Sequence, residues 1–130
     1  MAYGLCPMYT PQVIEHYENP RNVGTITDAD GAATVGSPTK GEMLKLTLKV
    51  TNNVIVAAKF RAFGCPTAIA SASVLTEMVT RSSVREALQL TAVQLSDALG
   101  GLPEDKQRYA AAAEEVLKTA IADFMSKTEV

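Results

Sequence analysis

Few residues in this chain invite chemistry. Its 130 residues include two cysteines, Cys6 and Cys65, and one histidine, His16. Cys65 stands in Phe63-Gly64-Cys65-Pro66-Thr67-Ala68-Ile69-Ala70, which reads as a strand end, a corner and a helix start. Proline is favoured at the first helical position, where its missing N–H has no helix bond to make. Pro66 therefore puts Cys65 at the N-cap. There the sulfur meets unpaired N–H groups and the positive end of the helix dipole, which favour the thiolate, the form that attacks electrophiles and binds metals. A buried small hydrophobe fits the same residue equally well. Cys6 precedes no helix start and has no nearby His or Cys, which suits an exposed free thiol better than a ligand. His16, alone on a short surface helix, suits a structural hydrogen-bonder better than a ligand. Asp28-x-Asp30-Gly31 lacks the later ligands and closing glutamate of a calcium loop.

The elements that must position these residues follow from local pattern. Residues 1–8 read as a flexible head and 9–130 as one domain. Thr10-Pro11 starts a helix with Val13, Ile14 and Tyr17 on one face, ending near Asn19-Pro20. Arg21 to Gly31 is rich in turn formers and reads as a loop. Ala32 to Gly36 is a short first strand, and 37–42 a tight connection. From Met43 to Val50, Leu44, Leu46, Leu48 and Val50 face one way, while Lys45, Thr47 and Lys49 face the other. Asn52-Asn53 suits a hairpin turn, since asparagine tolerates positive φ. The return strand, Val54 to Phe63, puts Val56, Ala58, Phe60 and Ala62 on the core face and Lys59 and Arg61 on the other. One side of the sheet is dry, and helices must cover it. Those helices are predicted from Pro66 to about Thr80, from a cap at Ser82-Ser83 to about Gln89, from Thr91 to Leu99 before Gly100-Gly101, and from Leu102-Pro103-Glu104-Asp105 to about Ser126. Tyr109, Ala113, Val116, Ala120 and Phe124 recur along the last at helical spacing.

A chain of this size can build a core without staples. Its net charge of −2 gives no electrostatic case for nucleic acid or an anionic membrane. No apolar run approaches the roughly 20 residues of a membrane span. With no basic-then-apolar leader visible, a cytoplasmic location with reduced thiols is expected.

Taken together, the pieces resemble the IscU/NifU-type iron–sulfur cluster scaffold family over nearly the whole chain. The resemblance rests on Tyr9-x-x-x-Val13, His16-Tyr17-Glu18-Asn19-Pro20-Arg21-Asn22-x-Gly24, Val35-Gly36-x-Pro38, Lys45-Leu46 and Phe63-Gly64-Cys65 followed by Ala68-Ile69-Ala70-Ser71. Leu102-Pro103-x-x-Lys106 and Ala120-Ile121-Ala122-Asp123-Phe124 complete it. It implies an α+β fold, a three-stranded antiparallel sheet with helices packed on one face. The family's chemistry uses three cysteines, an acid and often a histidine at one tip, because cluster iron takes soft thiolates and an exchangeable hard ligand lets the cluster leave.

Against that pattern the tip is depleted. Where the family has Pro-x-Cys-Gly-Asp, this chain has Pro38-Thr39-Lys40-Gly41-Glu42. Where it has Lys-x-His-Cys, this chain has Lys106-Gln107-Arg108-Tyr109. The resemblance therefore leaves Cys65 and Glu42 as metal ligands, with Lys40, Lys106, Arg108 and Tyr109 lining the former site. Charged Lys40 and Arg108 cannot ligate, and they are placed to pair with Glu42 or an anion. Tyr109 cannot accept persulfide sulfur as the family's third cysteine does.

Two roles compete. One is a scaffold that binds iron or an iron–sulfur cluster weakly, or shares it across a homodimer through Cys65. The other is a paralogue without a cluster, acting as an interaction or regulatory module. In either, the resemblance implies a cysteine desulfurase as partner. The family's chaperone segment Leu-Pro-Pro-Val-Lys is here Leu102-Pro103-Glu104-Asp105-Lys106, and an acid in place of valine weakens docking in an apolar cleft, so a heat-shock chaperone is not an expected partner. A thiol enzyme using Cys65 finds no positioned histidine base, and a non-enzyme is expected.

Overall fold

The computed structural model describes residues 9–37 and 41–128. The head with Cys6, and Lys40 in the first connection, lie outside the described residues. Among the described residues, five α-helices and three strands follow one another as α1 (Pro11–Glu18), β1 (Gly31–Ser37), β2 (Glu42–Thr51), β3 (Val54–Phe63), α2 (Pro66–Val79), α3 (Val84–Leu88), α4 (Ala92–Ala98) and α5 (Gln107–Thr128). The strands form an antiparallel sheet in the order β1-β2-β3. Its inner face carries Leu44, Leu46, Leu48 and Phe60, all buried. They pack with Ala70, Ala72 and Leu75 of α2 and with Ala113, Val116, Leu117 and Ala120 of α5. Each large side chain sealed in this way contributes roughly 1.5–3 kcal/mol of transfer free energy. The fold is thus the expected three-stranded sheet with helices on one face.

Local codes account for most boundaries. The hydroxyl of Thr10 accepts from the Val13 N–H and donates to the Leu99 carbonyl, which ties the first helix to the end of α4. Ser83 and Thr91 each close a capping box, with Glu86 and Gln94 reaching back. Asn52 and Asn53 both take positive φ, 53° and 63°, the pair that a tight type I′ hairpin demands.

Two expectations need correction, and one loop gains a tie to the sheet. Val56 is not on the core face: it is 47% exposed, while Ile55 is fully buried. The ladder pairs Lys49 with Ala57 but Val50 with Ile55, so Val56 is an extra residue. A bulge of one residue inverts the phase of everything beyond it. The last α-helix begins at Gln107, because Glu104–Lys106 forms a separate 3₁₀ turn. Arg21 to Asp30 is a loop but not a detached one. Val23 bridges Phe60 in parallel, with Gly24 N–H donating to Phe60 O at 2.8 Å and Phe60 N–H to Asn22 O at 2.9 Å. That bridge blunts the open edge of β3.

α2 is enclosed on nearly all sides, and its residues from Ala70 to Thr76 are all buried. Of the hydroxyls there, those of Ser73 and Thr76 find partners within the protein, whereas Ser71 Oγ has none among the described residues. On the side facing α1, Ser73 Oγ lies 2.8 Å from His16 Nδ1 and accepts from the Arg21 N–H at 3.0 Å. Asn22 Nδ2 donates to Thr76 Oγ1 at 3.1 Å. Arg21 also reaches Glu15 at 2.6 Å and Glu77 at 3.5 Å. His16 is therefore a buried structural group at the α1–α2 seam. Among the described residues, no helix is long and apolar enough to cross a membrane.

Candidate functional site

Four chain segments meet at one end of the domain. β2 starts there with Glu42, β3 ends there with Phe63, α2 starts there with Cys65 as N-cap, and the first turn of α5 brings Arg108 and Tyr109. Pro66 holds the first helical position as expected. Gly64 makes the corner at φ 148°, and a Cβ there would sit 3.5 Å from the Glu42 Cγ. The backbone conformation is one that residues with side chains rarely adopt, so glycine lets the strand turn directly into the helix against Glu42. Gly36, opposite on β1, has φ 77°, and a Cβ there would meet the Glu42 carbonyl oxygen at 2.5 Å.

The side chains close on one another. Arg108 donates to the Tyr109 hydroxyl at 2.8 Å and reaches Glu42 Oε1 at 3.5 Å. Tyr109 donates to the same Glu42 oxygen at 3.4 Å. The Arg108 guanidinium also stacks 4.8 Å from the Tyr109 ring centroid, with Lys106 Nζ at 5.9 Å. Tyr109 is buried, whereas Arg108 is two-thirds exposed. Burial raises the phenol's pKa first, its contact with Cys65 raises it further, and the bond from Arg108 opposes both. The Arg108 pKa is raised chiefly by its bond to Tyr109, with Glu42 adding to it. Cys65 is half-buried, a free thiol without a capping bond of its own. Behind this cluster lies a cavity of about 230 Å³ walled by Val35, Leu44, Phe63, Ala68 and Ala112, with Glu42, Tyr109 and Glu115 among its polar groups.

Of the residues singled out from sequence, Cys65, Glu42, Arg108 and Tyr109 thus converge, with Lys106 alongside. His16 does not join them. A base for Cys65 is absent from the contacts described, since His16 is engaged with Ser73 on the α1–α2 seam.

The donor set does not fit an iron–sulfur cluster held by one chain. Such a cluster is typically held by four thiolates, with histidine replacing some of them in certain centres. This chain has two cysteines and one histidine in all, and the histidine is buried elsewhere. Among the described residues, no three of His, Cys, Asp and Glu are grouped to hold a metal ion. Arg108 and Tyr109 occupy the Glu42 carboxylate instead. The cavity was missed from sequence, because its walls come from five elements and carry no local signal.

Residues 8–130 match the family model of the NifU-like N terminal domain. The chain is 44% identical over 120 residues to iron-sulfur cluster assembly scaffold protein IscU 1 of Archaeoglobus fulgidus, covering 92% of this chain and 78% of that one. It is 42% identical over 125 residues to the IscU scaffold protein of Escherichia coli K12, covering 93% and 97%. The crystal structure of a NifU-like protein (N-terminal) from Brucella abortus superposes with a TM-score of 0.58 at 22% identity, over 93% of this chain and 87% of that one. A SUF-system scaffold candidate from Fervidobacterium islandicum gives 0.67 at 18% identity, over 88% and 97%. At those identities the two structures bear on the fold alone.

Proposed function

The chain belongs to the family of NifU-like N-terminal domains, and from that premise we propose that it serves iron–sulfur cluster assembly as a scaffold-type docking body that holds no cluster on a single chain. One observation carries the reading. The tip's carboxylate, Glu42, is bound by Arg108 and Tyr109 rather than left open. Cys65 is the one sulfur donor among the residues described there. What the body retains is the family's shape and its first-helix and last-helix segments, the surfaces a partner would meet. The relatives are named as scaffolds rather than enzymes, and among the described residues no histidine attends Cys65.

The partner this reading implies is a cysteine desulfurase. Titration of the purified desulfurase with this chain should give saturable binding. The chain should also slow cluster formation on a three-cysteine scaffold by competing for the enzyme. Absence of binding and of competition would refute the role.

A second reading follows from the half-buried Cys65 at the tip. Two chains meeting tip to tip would pool two thiolates and two carboxylates, enough donors for a shared cluster as cargo. Anaerobic gel filtration with iron and sulfide separates the two readings. A coloured dimer abolished by Cys65→Ser supports sharing, and a colourless species of unchanged size supports the docking body.

A further inference from the structure

The two edges of the sheet are finished differently. The strand order leaves β1 and β3 outermost. The β3 edge is taken by the loop before β1, through the Val23 bridge to Phe60. On β1, the Ala32 N–H donates to Asp123 Oδ2 of α5 at 3.0 Å, so it points away from β2. Backbone groups along a strand alternate in direction, and those two residues apart point the same way. The N–H and C=O of Thr34 therefore point outward too, and Thr34 is exposed. Among the described residues, no other backbone group caps them. Open N–H and C=O groups on an edge strand are a template for a further strand.

What lies beside that open stretch selects the strand. Ala112, Glu115, Thr119 and Asp123 recur every three or four residues on α5, so they share one side of the helix. Asp123 fixes that side against β1 at Ala32. Farther along, Ala112 and Glu115 wall the cavity of about 230 Å³ together with Val35 and Gly36 of β1. The cavity thus lies beside the open part of the edge. Cross-strand partners point to the same face of a sheet. A residue added opposite Val35 therefore aims its side chain at the cavity. A void of roughly 150 Å³ holds a benzene molecule, so this one takes a single branched or aromatic side chain. The cavity rim is acidic. Glu115 is exposed and meets no cation among the described residues, whereas Glu42 has Arg108.

We propose that the edge of β1 around Thr34 accepts an extended segment of a partner protein as a fourth strand, one carrying an apolar side chain for the cavity and a lysine or arginine for Glu115. The Thr34 N–H and C=O and the Ala32 C=O supply the backbone bonds. The Ala32 N–H stays with Asp123, which keeps the added strand short. A second copy of this chain is the poorer occupant. Pairing β1 with β1 about a two-fold axis at Thr34 brings the two Glu115-bearing sides of α5 to one joint, and like charges there repel. The inference needs neither a cluster nor a desulfurase, so it can fail while the scaffold-type role stands, and the reverse.

The test uses the full chain labelled with ¹⁵N and the synthetic peptide Thr-Lys-Thr-Leu-Thr-Lys-Thr, whose leucine and lysines share one face when extended. Binding should slow hydrogen exchange of the Thr34 amide about tenfold or more, because that N–H gains a partner. Amide shifts should concentrate at residues 32–36 and 112–119. The same peptide N-methylated at the two threonines beside leucine keeps every side chain but loses strand donors, and should bind about tenfold more weakly or worse. Glu115→Lys should weaken the peptide about tenfold or more, while Glu18→Lys on α1 should leave it unchanged. Thr34→Pro removes an N–H that the ladder does not use, a change edge strands tolerate. It should abolish binding with the circular dichroism of the folded chain retained. Unchanged exchange at Thr34, equal binding of the N-methylated peptide, or equal losses in the Glu115 and Glu18 variants would overturn the proposal. So would a dimer of the chain alone in which the Thr34 amide is already protected.

Discussion

The seam between α1 and α2 and the tip beside Cys65 are both polar clusters, yet they differ in how far the fold depends on them. At the seam, His16, Ser73 and Thr76 are buried, and their hydrogen bonds are made inside the protein. Removing one partner strands the other without water, which is costly. At the tip, the Arg108 and Glu42 side chains are 67% and 44% exposed and meet at 3.5 Å. Water can replace either partner, so the pair adds little to stability. The comparison teaches why the outer groups of a tip can vary while the body persists. The seam is part of the fold's structure, and the tip's outer groups are carried on it.

The contrast can be broken experimentally, and the largest effect should come from the seam. His16→Ala removes the bond to Ser73 and leaves a void beside α2. It should cost about 2–3 kcal/mol in urea unfolding. A loss below about 0.5 kcal/mol would erase the distinction between the two clusters.

The next effect is a pH slope. Burial first, then Arg21, lowers the His16 pKa from 6.5, while Glu77 and Glu15 oppose. The unfolded chain then binds a proton more readily than the folded one. The stabilisation is therefore full above the unfolded pKa and is lost as the pH falls below it. Between about pH 7 and 5.5, stability should decline by no more than about 1.4 kcal/mol per unit. Because His16 is the chain's one histidine, His16→Gln should flatten that slope. Asp28, Asp123, Glu86 and Glu114, whose pKa values are lowered by hydrogen bonds, add their own acid sensitivity only at lower pH. A slope that survives in the variant would place the sensitivity elsewhere.

The smallest effect belongs to the tip. Arg108→Ala should shift unfolding by about 0.5 kcal/mol or less. A cost comparable to that of His16→Ala would mean that the tip, too, is structural.

How much was legible in the sequence follows the same division between local and distant causes. Leu44, Leu46 and Leu48, the Asn52-Asn53 turn, the cap at Thr10 and the cap within Ser82-Ser83 are set by neighbours within a few residues, and all could be read. The bulge at Val56 could not, because one extra residue is decided by the partner strand. The alternation of Val56 with Ala58 and Phe60 gave a plausible wrong phase. The pairing of His16 with Ser73 spans 57 positions, and only the histidine's solitude hinted at a structural role. At the tip, the helix-start signal at Cys65 was local. The meeting of Glu42, Arg108 and Tyr109 with it was legible only through the family resemblance, since no spacing rule joins the starts of β2 and α5. Lys40 lies outside the described residues, so its part in the tip rests on sequence alone.

The central claim is that Arg108 and Tyr109, rather than iron, occupy the tip of a single chain. Purification and reconstitution with iron and sulfide under strict anaerobiosis, followed by iron and acid-labile sulfide analysis of the monomer, tests it most directly. The expected product is colourless, with far less than one iron per chain and no change in Cys65→Ser. A brown monomer holding iron and sulfide in equal, near-stoichiometric amounts, bleached by Cys65→Ser, would contradict it.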